Sequence, residues 1–199
     1  MQQKYLILVG ASGTGKSTIR QILVNFNPAM FTTVIQHTTR PRRAYEAKDM
    51  YVFDSKASFE SIANKLIGKC HIKDYVYGSE PMPEFDNRVG VIILNKEGLQ
   101  DFKAWASSKK DVIYRIVGIH RPPEEAIDAR AGERDEEYIR AEYAIYDEAD
   151  YIFENDFESI APGEVVNNFS LLGKALSKAS EACTAEALFK EWCNGTASK

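Results

Sequence analysis

Cysteine is scarce in this chain, and what there is does not pair. Only Cys70, Cys183 and Cys193 carry thiols among 199 residues. An odd count at that spacing suits neither a disulfide framework nor a metal site. Free thiols in a reducing compartment are expected, and with them a cytoplasmic protein. Also missing is any apolar run near the roughly 20 residues that cross a bilayer, so no membrane partner is expected. Met1-Gln2-Gln3-Lys4 leads straight into an apolar stretch, and no signal peptide is read there. A basic surface is lacking too. The net charge of −4 argues against a nucleic-acid partner. Internal repeats and low-complexity segments are absent. What remains is 44% hydrophobic and 27% charged, a globular composition. The length allows a buried core, as one domain with insertions or as two small ones.

What is present is a phosphate-binding loop. Gly10-Ala11-Ser12-Gly13-Thr14-Gly15-Lys16-Ser17 fits G-x-x-x-x-G-K-[ST]. The apolar run Tyr5 to Val9 before it predicts a buried parallel strand, and Ser17 to Asn25 after it predicts a helix. Gly10, Gly13 and Gly15 permit backbone angles closed to residues with a Cβ. The loop can then turn several N–H groups toward one polyanion. The helix N-terminus behind it adds about half a positive charge. Lys16 is expected to reach the β- and γ-phosphates of ATP, with Thr18 completing the loop's contacts. Ser17 is expected to ligate Mg²⁺ through its hydroxyl.

Along the chain, short apolar runs alternate with helical stretches, which predicts an α/β fold with a parallel central sheet flanked by helices. Strands are expected over Phe31 to Gln36, Met50 to Phe53, Val89 to Leu94, Val112 to Ile119 and Tyr151 to Phe153. Ile67 to Ile72 and Tyr75 to Tyr77 read as a hairpin or edge strands. Helices are expected over Ser58 to Leu66, Lys96 to Ser108, Pro122 to about Ala131, and Asp135 to Asp147. The first of these is capped by Ser55 or Ser58. Gly163 to Trp192 reads as helical with a break near Gly173. Pro81 and Pro83 argue against a long helix in Ser79 to Asn87. Two stretches interrupt the rhythm, about Thr33 to Arg88 and about Arg121 to Arg140. Inserted flaps of that kind suit an enzyme that closes over two substrates.

The stretch His37-Thr38-Thr39-Arg40-Pro41-Arg42-Arg43 sets three arginines beside two hydroxyls. Such a group can grip a phosphate by bidentate, charge-assisted hydrogen bonds. Together with Glu46, Tyr51-Val52-Phe53, Tyr77-Gly78-Ser79 and Asn155-Asp156, it resembles the guanylate kinase family over about residues 4 to 157. That family carries a P-loop, then H-T-T-R-x-P-R-x-G-E, D-Y-x-F, Y-G-[ST] and a late V-x-N-D.

The resemblance implies a P-loop kinase fold. Its core would comprise residues 1–32, 89–120 and 141–199, with an acceptor-binding region over 33–88 and a lid over 121–140. The implied reaction moves the γ-phosphoryl group of Mg-ATP to a nucleoside monophosphate. Arg40, Arg43, Tyr51 and Tyr77 would hold the acceptor's phosphate. Arg130 and Arg134 would clamp the transferring group with Lys16, and Arg140 would be a third lid arginine at a slipped spacing. Ser79, Gln36 and Asn95 fall where the family reads the base.

The departures cluster on that base site. The family reads guanine's donors with carboxylates. Here Gly68 stands where its glutamate does, and Ile93 and Asn95 stand where it has aspartates. Asp74, Glu80 and Glu84 are candidate substitutes. Ile93 and Asn95 also leave the usual acidic strand end without a carboxylate. GMP or dGMP is the leading acceptor. A ribose-bisphosphate phosphokinase and a non-catalytic guanylate-kinase-like binding module are the alternatives. The sequence leaves the oligomeric state open.

Overall fold

The computed structural model describes residues 2–43, 51–128, 136–156 and 161–177. Chain order is β1 (Gln3–Val9), α1 (Lys16–Phe26), β2 (Phe31–Thr33), β3 (Gln36–Thr38), β4 (Val52–Phe53), α2 (Lys56–Ile62), β5 (Ile67–Ile72), β6 (Tyr75–Ser79), β7 (Val89–Ile93), α3 (Lys96–Ser107), β8 (Val112–His120), α4 (Pro123–Asp128), α5 (Glu136–Glu142), β9 (Tyr151–Glu154) and α6 (Pro162–Ser177). Short 3-10 segments follow α2 and α5, at Ala63–Lys65 and Tyr143–Glu148.

Five strands form one sheet in the order β2-β7-β1-β8-β9, with every neighbouring pair parallel. This is the α/β architecture read from the sequence. Tyr5, Leu6, Ile7, Leu8 and Val9 are all fully buried, because β1 is central and both of its faces are covered. The period of two sorts them. Leu6 and Leu8 pack with Ile19 and Leu23 of α1 and Phe169 and Leu172 of α6. Tyr5, Ile7 and Val9 pack with Leu99 and Phe102 of α3 and with Ile145. Each full burial of such a side chain is worth about 1.5–3 kcal/mol. The loop after β1 is thereby anchored to the most buried strand of the molecule.

A second sheet, of order β4-β3-β6-β5, is mixed: β3 pairs parallel with β4 and antiparallel with β6, and β5 pairs antiparallel with β6. The expected strand over Phe31 to Gln36 is therefore two strands in two sheets. The chain changes sheet at Val34 and Ile35. Val34 N–H still bonds Val91 O at 3.2 Å, while Ile35 O accepts from Glu80 N–H at 2.9 Å. Ser55 caps α2, its Oγ accepting Ser58 N–H at 3.1 Å. The Asp135 to Asp147 helix is α only as far as Glu142 and then tightens to 3-10.

The expected break near Gly173 does not occur, since α6 runs through it to Ser177. A Cβ at Gly173 would meet Met30 Sδ at 2.6 Å. This glycine serves a close helix approach rather than a helix end. Trp192, Cys183 and Cys193 lie outside the described residues, as do the later part of the expected 163–192 helix and Gly132.

Candidate active site

The P-loop leaves the carboxyl end of β1 and re-enters as α1. Its glycines take the angles expected of them, with φ of 144° at Gly10, 89° at Gly13 and 91° at Gly15. A Cβ on Gly10 would lie 2.5 Å from Ile119 O and 2.9 Å from the Tyr146 hydroxyl. A Cβ on Gly13 would collide with the backbone of Ala126 in α4. The loop is thus shaped from inside by its dihedrals and from outside by close neighbours.

Those neighbours also hold it by hydrogen bonds. Tyr146 OH accepts Ala11 N–H at 3.3 Å and donates to Ile119 O at 2.7 Å. Burial pushes this phenol up to about 12, so it stays neutral at working pH. Glu142 Oε2 accepts Ser12 N–H at 2.7 Å. Thr14 Oγ1 donates to Ala11 O at 2.9 Å, and Asn155 Nδ2 donates to Thr14 O at 2.7 Å. Asn155 belongs to the late Asn-Asp motif, and clamping the loop gives that motif a physical role. Lys16 Nζ donates to Gly10 O at 2.8 Å and Ala11 O at 2.6 Å, so its ammonium lies over the loop. The first helical bond of α1 is Ile19 N–H to Gly15 O at 3.0 Å. The N–H groups of Lys16, Ser17 and Thr18 therefore have no acceptor within the helix.

Ser17 lies in that first turn, where its hydroxyl suits a Mg²⁺ that arrives with a nucleotide. Magnesium in kinases takes much of its coordination from phosphate and water. Among the described residues no cluster of three or more His, Cys, Asp or Glu could hold a metal by itself. Asn95 follows β7 and caps α3, its Oδ1 accepting Gly98 N–H at 2.9 Å.

The second sheet presents the arginine stretch. Arg40 Nε donates to Tyr77 OH at 3.2 Å, and its guanidinium lies 5.6 Å from the ring centres of both Tyr51 and Phe53. Tyr51 and Tyr77 meet edge-on at 6.5 Å. Thr38 Oγ1 accepts Arg40 N–H at 3.2 Å and fixes the turn out of β3. A cavity of about 340 Å³ is lined by Arg40, Arg42, Arg43, Lys73, Tyr77 and Tyr138, among others. Four of these are cationic, which suits an oxyanion. Tyr138 comes from α5, one turn before Glu142. Residues four apart share a helix face, so α5 touches the arginine cavity with one residue and the P-loop with the other.

Of the expected site residues, Gly10 to Thr18 make up one cradle, and Arg40, Arg43, Tyr51 and Tyr77 gather at the other. Gln36 and Ser79 are directly opposed on β3 and β6. Gln36 Nε2 donates to Ile93 O at 3.2 Å, while its Oε1 accepts from Arg20 Nη1 at 2.9 Å. Arg130, Arg134 and Glu46 lie outside the described residues. Arg140 is held by Glu136, at 2.8 Å, and by Glu124, at 3.5 Å. It ties α5 to α4.

Gly68, where the sequence lacks the family's glutamate, has φ 64° at an irregularity in β5. A Cβ there would lie 2.7 Å from Leu94 Cδ2. A glutamate at this point would carry left-handed strain and would have to displace the Leu94 side chain. Among the candidate substitutes, Glu80 Oε1 faces His37 Nε2 at 3.0 Å, with Asp54 on the other ring nitrogen at 2.7 Å. Arg20, Glu142 and Tyr146 were not marked by any local pattern as site residues. For Arg20 a signal existed: it is a charge beside Ile19 and Leu23 on the buried face of α1.

Comparison with known proteins bears on the family and the fold. The guanylate kinase family model matches residues 2–161. A guanylate kinase of Rhodopseudomonas palustris (strain BisB5) is 29% identical over 173 residues, covering 77% of this chain and 78% of its own. Mouse MAGUK p55 subfamily member 4 is 32% identical over 81 residues, which are 39% of this chain and only 13% of that protein. The crystal structure of guanylate kinase from Anaplasma phagocytophilum superposes with a TM-score of 0.61 at 17% identity, covering 87% of this chain and 86% of that one. No helix among the described residues is long and apolar enough to cross a membrane. With a family model spanning most of its length and the P-loop fold in place, the chain belongs to the guanylate kinase family.

Proposed function

We propose that this chain is an ATP-dependent nucleoside monophosphate kinase of guanylate-kinase type. It moves the γ-phosphoryl group of Mg-ATP to GMP, dGMP or a related nucleoside monophosphate. The observation that carries this reading is the pairing of two anion cradles through one helix. The P-loop is fastened to Glu142, and the Arg40–Arg43 cavity is lined by Tyr138 of the same α5. In this reading residues 1–32, 89–120 and 141–199 form the core, 33–88 the acceptor region and 121–140 the lid.

Phosphoryl transfer needs positioning and charge neutralisation more than covalent help. The loop's N–H groups and Lys16 hold the donor's phosphates. Ser17 would hold Mg²⁺ through its hydroxyl, and the ion would add positive charge beside those phosphates. Arg40 and Arg43 hold the acceptor's phosphate by forked hydrogen bonds, and Tyr77 orients Arg40. Arg130 and Arg134 are assigned by family resemblance to the charge that develops on the transferring group. No general base is required, because a phosphate monoester is already anionic at neutral pH. The working compartment in this reading is the cytoplasm.

A second reading is a binding module without turnover, which the partial MAGUK match favours. The intact Lys16 and left-handed glycines weigh against it. Arg40→Ala tests the assignment of the acceptor site. It should raise the acceptor's KM at least about tenfold, as expected for loss of a charge-assisted bond, while ATP affinity holds. Unchanged acceptor kinetics would remove Arg40 from the site.

A further inference from the structure

The arginine cavity holds more positive charge than one acceptor phosphate calls for. Arg40, Arg42, Arg43 and Lys73 all line it beside the phenols of Tyr75 and Tyr77, and among the described residues no acidic side chain does. A phosphate monoester carries about two negative charges at neutral pH. Arg40 and Arg43 balance one such group. Arg42 and Lys73 remain, and among the described residues no carboxylate pairs with either. The space is also large for one phosphoryl group. At about 340 Å³ it matches the volume of roughly ten waters.

The cations stand at separated points. Cys70 opposes Tyr77 and Ile72 opposes Tyr75 across β5 and β6. Tyr75 and Tyr77 share a strand face, about 7 Å apart. Arg40 Nε donates to Tyr77 OH at 3.2 Å, which marks one end of the cavity. Lys73 follows Ile72 in the turn that leads to Tyr75, and it marks the other. Its backbone is strained. Lys73 has φ 55°, a left-handed value found at no other non-glycine among the described residues. A Cβ makes that conformation unfavourable, and such strain collects where a residue serves a ligand. In a pyrophosphate the two phosphorus atoms share one oxygen and lie closer than the two ends of this cavity. Phosphoryl groups on different carbons of a sugar match the spacing better.

We propose that the Lys73 end of the cavity is a second anion subsite, with Arg42 supplying further charge, and that the preferred acceptor carries an additional phosphoryl group on its sugar. This rests on the phosphoryl-transfer reading above and specifies its acceptor class, a nucleoside or sugar bisphosphate. The γ-phosphoryl group of ATP bonds to an oxygen of the phosphate held by Arg40 and Arg43, and ADP leaves. The phosphate at Lys73 is held without reacting.

Equilibrium binding to the full chain tests this, with the P-loop filled by Mg²⁺ and a non-hydrolysable ATP analogue. The probes are GMP, guanosine 3′,5′-bisphosphate, ribose 5-phosphate and ribose 1,5-bisphosphate. At least one bisphosphate should bind about tenfold or more tightly than its monophosphate, the size of an added charge-assisted contact. Which one does so tells whether a base accompanies the sugar. Lys73→Met should shrink that preference to within about threefold, while Lys73→Arg keeps most of it. Should Lys73→Met not fold, Lys73→Gly removes the charge and the strain together and must give the same loss. No preference for either bisphosphate, or a preference that survives the loss of Lys73, would overturn the proposal. ADP formation with ATP in place of the analogue separates the two readings. GMP phosphorylated without any preference for a bisphosphate leaves the kinase reading standing and ends this one. A Lys73-dependent preference with no transfer to any probe keeps the subsite and ends the kinase reading.

Discussion

Replacing Tyr146 by Phe removes one oxygen and two contacts of the P-loop. The ring remains to fill its place. What is lost is the acceptor for Ala11 N–H, at 3.3 Å, and the donor to Ile119 O, at 2.7 Å. Both residues are fully buried, so water does not readily replace the hydroxyl. An orphaned buried group costs about 1–3 kcal/mol. The Ala11 contact is long and contributes little, so the total is about 2 kcal/mol. For a chain of this size that lowers Tm by roughly 4–8 °C. Thermal unfolding followed by circular dichroism reads this directly.

The same variant should bind ATP about tenfold more weakly, because the loop must then be ordered at the ligand's expense. Acceptor affinity should not change. The pH dependence supplies an internal check. Burial raises the Tyr146 pKa to about 12, above an unfolded value near 10. A raised folded pKa means the stabilisation is complete below the unfolded value and fades as pH climbs through the folded one. The Tm gap between wild type and Tyr146→Phe should be constant from about pH 6 to 9 and narrow above about 10. A variant with wild-type Tm and ATP affinity would refute the claim that this phenol braces the loop.

Two other substitutions probe the cradle and the base site. Lys16→Ala should lower kcat by about 10² or more, since its charge matters most as the γ-phosphoryl group leaves, and steady-state kinetics at saturating substrates measures it. Gly68→Glu, which would reinstate the family's missing acid, should instead destabilise the protein by about 2–4 kcal/mol, from left-handed strain and the clash with Leu94. A urea titration and a GMP binding curve would show lower stability with no gain in affinity.

The P-loop was legible because its chemistry is local: three glycines, a lysine and a hydroxyl dictate a backbone path with little help from elsewhere. The central strands were legible for a similar reason, as an unbroken apolar run declares itself buried on both faces. The split at Val34 and Ile35 was not, because both halves are β-rich and only tertiary pairing assigns them to different sheets. Gly173 misled because a glycine that admits a neighbour, here Met30, looks the same in sequence as one that ends a helix. The arginine stretch was visible in composition, but its meaning came from the order of motifs around it. Tyr146 and Glu142 reach the loop from more than a hundred residues away, and no spacing rule connects them to it. Arg20 carried a hint, a charge on an apolar helix face, that pattern alone could not separate from a snorkelling side chain.

In the proposed reaction a phosphoryl group passes between two anion sites, so the decisive measurement follows the phosphate itself. ATP labelled at the γ-position is incubated with Mg²⁺, the full chain and GMP, dGMP or IMP, and the products are separated. Label is expected in the corresponding nucleoside diphosphate, with little released as inorganic phosphate. Label that stays in ATP, or appears only as inorganic phosphate with every monophosphate tried, would contradict it.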